Sequence, residues 1–274
     1  MSNRPVLCLK NISYSYDGKT NALEDVQLNI YSNEKIAILG SNGAGKSTLF
    51  LCMNGVITPD KGEIWLNDVF ITNQNKMELR KNVGIVFQDA ESQIVAPTVL
   101  SEVSFGPMNL KLPQEEVKKR THQALQYMNL TSFSHRPPHY LSGGEKKRVT
   151  IADIIAMQSN VILFDEPTTA LDPYHQKGLE EVLQKLSQEG KSVIVSTHDM
   201  DFAYGFAERA IVFDNGKIIA DSNIATVFEN DAVLKKAHLR KPYLFEITQL
   251  LRKKGILKND GNQPKSVKEL EKSL

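Results

Sequence analysis

The segment KIAILGSNGAGKST, Lys35 to Thr48, restricts the fold more than any other part of this 274-residue chain. Four apolar residues run directly into the pattern G-x-x-x-x-G-K-[ST], with Gly40, Gly45, Lys46 and Ser47 at the fixed positions, and a helical stretch follows. Strand, glycine turn and helix in that order belong to an α/β layer fold. The glycines let backbone N–H groups turn inward, the helix start adds a partial positive charge, and Lys46 adds a full one. The product is a cradle for the β- and γ-phosphates of a nucleotide, with Ser47 placed to ligate Mg2+. A turn that only joined a strand to a helix would need neither Lys46 nor Ser47.

Three further apolar runs, VGIVFQ, VILFDE and SVIVSTHD, alternate with segments of helical period, which is the pattern of a parallel sheet covered on both faces. LCLKNISYSY, ALEDVQLNI and KGEIWLND alternate more loosely and predict an antiparallel sheet beside it. Between Gln88 and Ala156 the period is helical, with Val117, Ala124, Leu125 and Met128 on one face, so a helical subdomain is expected at about 89–156. Leu179, Val182, Leu183 and Leu186 form another helix face, closed by Gly190 before what reads as the last core strand. An extension over 225–274 follows a core domain over 1–224. In it Leu244, Ile247, Leu250 and Leu251 make an apolar stripe, and a polar tail from Lys258 reads as a loose end.

Charge and cysteine content narrow the function. With 33 basic and 32 acidic residues the net charge is +1, which leaves no electrostatic footprint for nucleic acid. Cys8 and Cys52 lie in apolar surroundings and read as buried thiols of a reducing compartment. No run approaches the ~18 apolar residues of a membrane span, so a cytosolic chain is expected, and any membrane part must come from another subunit.

Two more stretches carry chemistry. VILFDEP ends a buried strand in Asp165 and Glu166, where carboxylates would meet Mg2+ and a γ-phosphate. Asp165 is expected to hold the metal through water, and Glu166 to orient the attacking water. LSGGEKKR sets Ser142, Gly143, Gly144 and Glu145 at the head of a basic helix, a second anion turn in a chain that already has one.

With these in order the chain resembles the ATPase subunits of ABC transporters, over nearly its whole length. LSGGE is similar to that family's signature, VFQ to its Q-loop at Gln88, TALD to its D-loop at Asp172, and STHD to its switch histidine at His198. Glu145 departs from the glutamine that many relatives carry at the fifth signature position. The resemblance implies an α/β P-loop NTPase with a RecA-like core, an antiparallel β subdomain and a helical signature subdomain. It implies ATP as substrate and Mg2+ as cofactor. Gly40, Ser41, Asn42, Gly43, Ala44, Gly45, Lys46, Ser47 and Thr48 would form the phosphate loop, Tyr16 would stack on adenine, and Ser47, Gln88 and Asp165 would serve the metal. Lys46, Glu166 and His198 would be catalytic. Two subunits would pack head to tail, so that Ser142, Gly143, Gly144 and Glu145 of each meet the ATP of the other, as a homodimer or with a paralogous ATPase.

The stretch VFQDAESQIVAPTVLSEVSFGPMNLKL and the extension, with VFEND and HLRKP, are similar to the energy-coupling-factor importers. There the extension adds dimer contacts, and the ATPases sit on the cytoplasmic face of the membrane against a transmembrane scaffold and a substrate-binding membrane subunit. Within that branch the resemblance leans toward the subunit that drives cobalt uptake, with nickel next. A vitamin importer ATPase, or a non-transport ABC ATPase in repair or translation, is the alternative.

Overall fold

The computed structural model describes residues 4–169, 171–258 and 263–274. In chain order its elements are β1 (Leu7–Ser15), β2 (Asn21–Ile30), β3 (Lys35–Leu39), α1 (Lys46–Asn54), β4 (Lys61–Leu66), β5 (Val69–Phe70), α2 (Lys76–Asn82) and β6 (Val83–Val86). The helices α3 (Val99–Asn109), α4 (Gln114–Tyr127) and α5 (Gly143–Met157) follow without a strand between them. Next come β7 (Val161–Asp165), α6 (Pro173–Gln188), β8 (Ser192–Ser196), α7 (Met200–Phe206), β9 (Arg209–Asp214) and β10 (Lys217–Asn223). The chain closes with α8 (Ile224–Glu229), α9 (Asp231–Lys236), α10 (Tyr243–Lys253) and α11 (Val267–Ser273).

Two sheets result. The main one runs β10-β9-β3-β8-β7-β6, parallel from β9 to β6, with β10 antiparallel at the edge. Its central strands are covered on both faces, which is why their sequences read as unbroken apolar runs. Alternate residues divide between two cores: Ile36 and Ile38 face the side that holds α1 and the second sheet, while Ala37 and Leu39 face the side that holds α3 to α8. The second sheet, β2-β1-β4-β5, is antiparallel, with Leu7 opposite both Ile30 and Leu66.

Four expectations differ from the structure. First, β8 is not the last core strand, because β9 and β10 extend the sheet beyond β3 as a hairpin. Its turn, Asp214-Asn215-Gly216, carries positive φ at Asn215 (46°) and Gly216 (76°), the tight turn that Asn-Gly favours. Second, the stripe on α10 is divided: Leu244 packs on the core and Leu251 is half-buried, but Ile247 is 48% and Leu250 54% exposed, and Phe245 and Thr248 are the fully buried residues. Burial of one aromatic ring against Tyr204 and Phe228 outweighs the aliphatic stripe in setting the face. Third, the polar tail is not loose in its described part, since Ser266 caps α11 and Leu270 is buried. Fourth, Cys8 is only half-buried, while Cys52 is buried and its thiol is pushed up to about 12 by that burial.

Candidate nucleotide site

The phosphate loop leaves the C-terminal end of β3, between β8 and β9, and closes on α1. Ligands of open α/β sheets gather at such strand ends. Two glycines are dictated by close approach: a Cβ on Gly40 (φ 149°) would stand 2.5 Å from the Phe213 carbonyl oxygen, and one on Gly45 (φ 107°) 2.5 Å from that of Ala22. Ser41 and Gly45 are half-buried, Asn42, Gly43 and Ser47 are exposed, and Ala44 and Thr48 are buried. The N-terminus of α1 has no side-chain cap and no acid in its first turn. Its first N–H groups therefore have no side-chain acceptor and suit an anion in the concavity of the loop's own turn.

Lys46 spans that concavity. Its Nζ donates to the carbonyls of Gly40 at 2.8 Å and Ser41 at 3.1 Å, and stands 4.0 Å from Glu166 Oε1. Burial lowers its pKa, against the opposing charges of Glu166 and Asp165. Both carboxylates lie at the end of β7 and are 7% exposed. Asp165 accepts a short hydrogen bond from Ser196 Oγ at the end of β8. Glu166 pairs with His198 Nδ1 at 2.8 Å and receives the His198 backbone N–H at 3.4 Å, while its own N–H donates to Ser196 O at 3.0 Å. One carboxylate thus lies between the loop lysine and the histidine.

A metal has a place here. Among the described residues no three His, Cys, Asp or Glu converge as a protein cage. Mg2+ needs none, because it takes one or two protein oxygens and completes its octahedron with phosphate and water. The exposed Ser47 hydroxyl on α1 and the Asp165 carboxylate, of which Ser196 occupies only Oδ1, suit that donor set.

The remaining predicted residues fall around this centre. Tyr16 is 64% exposed, its OH is 3.3 Å from Thr48 Oγ1, and its ring stands edge-on to the half-buried Tyr14 at 4.9 Å. Gln88 is exposed just past β6, and its carbonyl and that of Phe87 accept from Lys147 Nζ at 3.0 and 2.7 Å. Burial pushes that lysine down to about 8, against Asp165 and Asp89. Ser142 caps α5 in a reciprocal box: it accepts from Glu145 N at 3.3 Å, and Glu145 Oε2 accepts from Ser142 N at 2.7 Å and from Ser142 Oγ at 2.9 Å. Those bonds hold the Glu145 carboxyl below its ordinary range. Among the described residues no hydrogen bond joins 142–145 to 40–48. A Cβ on Gly144 would meet the His175 ring of the same chain at 2.8 Å, while Gly143 faces open space. Asp172 caps α6, accepting from His175 N at 2.9 Å and pairing with its Nδ1 at 2.7 Å, and these bonds lower its pKa. Ala170 lies outside the described residues.

Sequence reasoning missed Ser196, Lys147 and His175. Ser196 had a signal, a hydroxyl that closes the apolar run Val193–Val195 just before His198. The other two are ordinary residues of polar helices, and only the fold brings them to the Q-loop and to Gly144.

Comparison with known proteins agrees with this geometry. Residues 23–169 match the family model described as ABC transporter. The chain is 42% identical over 265 residues to the energy-coupling factor transporter ATP-binding protein EcfA2 of Methanospirillum hungatei, covering 96% of this chain and 66%, just under two thirds, of that one. It is 42% identical over 247 residues to EcfA of Methanocaldococcus jannaschii, covering 89% and 88%. Among solved structures, cbiO1 of Clostridium perfringens, described as part of the ABC transporter complex cbiONQ, superposes with a TM-score of 0.75 at 36% identity over 90% of this chain and all of that one. A dimeric ATP-binding cassette in a post-hydrolysis state with ADP and Pi gives a TM-score of 0.71 at 32% identity, covering 80% and 98%.

Proposed function

This chain belongs to the ABC transporter family, among its energy-coupling-factor ATP-binding proteins, and from that premise we propose that it clamps and hydrolyses Mg-ATP between two copies of itself to drive import through membrane partners. The observation that carries the reading is Glu166, set between Lys46 at 4.0 Å and His198 at 2.8 Å at the mouth of the phosphate loop. Lys46 and the α1 N–H groups bind the phosphates, and Tyr16 carries the adenine. Ser47, Asp165 and Gln88 would hold Mg2+, which would supply charge neutralisation at the phosphate oxygens. Glu166 orients the water, and His198 fixes Glu166 and reaches the γ-phosphate. Phosphoryl transfer asks for positioning more than for a strong base, which suits a carboxylate held by two partners.

The signature residues serve the partner's nucleotide. Ser142, Gly143 and Gly144 stand at an exposed helix start and engage nothing on their own phosphate loop. Each copy carries both half-sites, which favours a homodimer over pairing with a paralogous ATPase. The exposed Ile247 and Leu250 of α10 give the extension apolar surface for further dimer contact. No helix among the described residues is long and apolar enough to cross a membrane. On the family likeness, a scaffold subunit and a substrate-binding subunit hold the ATPase at the cytoplasmic face, against the exposed Gln88 segment. Cobalt is the solute that the overall resemblance favours, with nickel next and a vitamin as the alternative, and the likeness to a member of the cbiONQ complex supports assembly of this kind.

Glu166→Gln tests the core of this reading. It should reduce turnover by at least ~100-fold while ATP affinity stays within about twofold. Turnover at the wild-type rate would remove Glu166 from the mechanism.

A further inference from the structure

The helix that follows His198 packs on the core through Met200, Phe202, Ala203 and Phe206, and both of its ends are held in addition from outside the ATPase core. At seven residues, α7 is too short to persist on its own hydrogen bonds, so its placement depends on tertiary contacts. At its start, Asp199 accepts from the N–H groups of Asp201 and Phe202, both at 3.1 Å. The Asp201 carboxylate in turn receives Arg240 Nη2 and, at 2.6 Å, the backbone N–H of Tyr243. At its end, Lys265 Nζ donates to the carbonyls of Tyr204 and Ala207, both at 3.0 Å, and lies 4.5 Å from the centre of the Tyr204 ring. A cation there meets the last helix carbonyls and the negative end of the dipole together. Between the ends, Tyr204 is 1% exposed and stands edge-on to Phe228 and Phe245.

All of these outside partners lie beyond residue 224. The contact at Lys265 is itself organised: Pro264 is buried, Lys265 N donates to Glu269 Oε2 at 2.8 Å, and Leu270 anchors α11. His198, by contrast, has a side chain 65% exposed. The ring's hydrogen bond is to Glu166 Oε2 at 2.8 Å, and the backbone that carries it continues directly into Asp199, the cap of α7, so a shift of α7 is passed to the imidazole.

We propose that Arg240 and Lys265 are positioning residues for His198: by fixing both ends of α7 they set the imidazole against Glu166, and the C-terminal extension thereby governs the hydrolysis rate of its own chain. This rests on the reading of Glu166 and His198 as the hydrolytic pair. Neither residue touches the nucleotide, so the effect falls on kcat and not on ATP affinity.

Full-length Arg240→Ala, Lys265→Ala and Lys265→Arg proteins, compared with His198→Ala, test it through kcat and KM for ATP, equilibrium binding of a fluorescent ATP analogue, and the thermal midpoint. Each alanine variant should lower kcat by about tenfold with nucleotide affinity unchanged, and Lys265→Arg should recover most of the rate. Combined with His198→Ala, neither should lower the residual rate further. Wild-type kcat in both alanine variants overturns the proposal. So does a loss that adds to that of His198→Ala, which would mark the contacts as general stabilisers. Should an alanine variant fail to fold, Asp201→Asn keeps the shape, removes the charge that Arg240 meets, and must give the same kcat effect. If His198→Ala turns over like wild type, the hydrolytic reading fails first and this inference falls with it.

Discussion

Glu166 has φ 43°, a left-handed backbone conformation that costs a side-chain-bearing residue about 1 kcal/mol. The bonds to Ser196 O and His198 hold it there, and the twist turns the carboxylate out of the strand toward Lys46. Asp165, one residue earlier, stays in the strand and meets Ser196, so adjacent acids face different tasks. Tyr16 shows the same logic of placement. Its hydroxyl touches Thr48 in α1, but most of its ring is open, as a platform for a base must be. Tyr16→Ala should weaken ATP binding by about tenfold and Tyr16→Phe should leave it unchanged in a nucleotide titration. Equal losses in the two would assign the tyrosine to the Thr48 contact and not to stacking.

At the scale of elements, α3 and α5 trap a carboxyl. Asp153 Oδ1 is sealed from solvent at their contact, and burial, with the charge of Glu102, pushes the group up to about 7. A carboxyl raised in the folded state binds its proton more tightly there than in the unfolded chain. Stability from this group is therefore full below about pH 4 and is lost as pH rises through 7. Asp153→Asn should raise stability by a few kcal/mol at pH 8 and change it little at pH 4, read from denaturant midpoints. An equal effect at both pH values would place the ionisation elsewhere. Glu102 holds the N–H groups of Val95 and Ala96, so this helix pair also anchors the segment that follows Gln88.

The elements were unequally legible in the sequence. The phosphate loop, the acid pair after β7 and the capped start of α5 depend on fixed local spacing, and the α/β fold followed from the alternation of apolar runs with helical segments. The β9–β10 hairpin was written just as locally, in Asp214-Asn215-Gly216 between apolar runs, and was passed over. The α10 face was not legible, because periodicity reveals a stripe without saying what waits on each side. Only the tertiary position of Tyr204 decides that Phe245 goes in and Ile247 stays out. Lys147 bonding the Q-loop carbonyls, and Lys265 closing on α7, join residues about 60 positions apart and leave no local trace.

At the scale of the whole molecule, the chain brings Lys46, Glu166 and His198 together at one phosphate loop and carries a second anion turn, 142–145, that among the described residues makes no hydrogen bond to that loop. The Ser142 cap and Glu145 keep that turn formed in advance, and Lys146 ties its helix to Glu91 on the segment that would meet a membrane subunit. On the proposed reading ATP is the bond between copies: a ligand shared by two surfaces shifts the pair toward closure by the difference in its affinity for the two states. The most direct test is the solution mass of Glu166→Gln protein, by light scattering with and without Mg-ATP, beside the same protein carrying Ser142→Ala. The account predicts that Mg-ATP doubles the mass from the 30.7 kDa of one chain and that Ser142→Ala prevents the doubling. ATP that binds tightly and leaves the mass at one chain would contradict it.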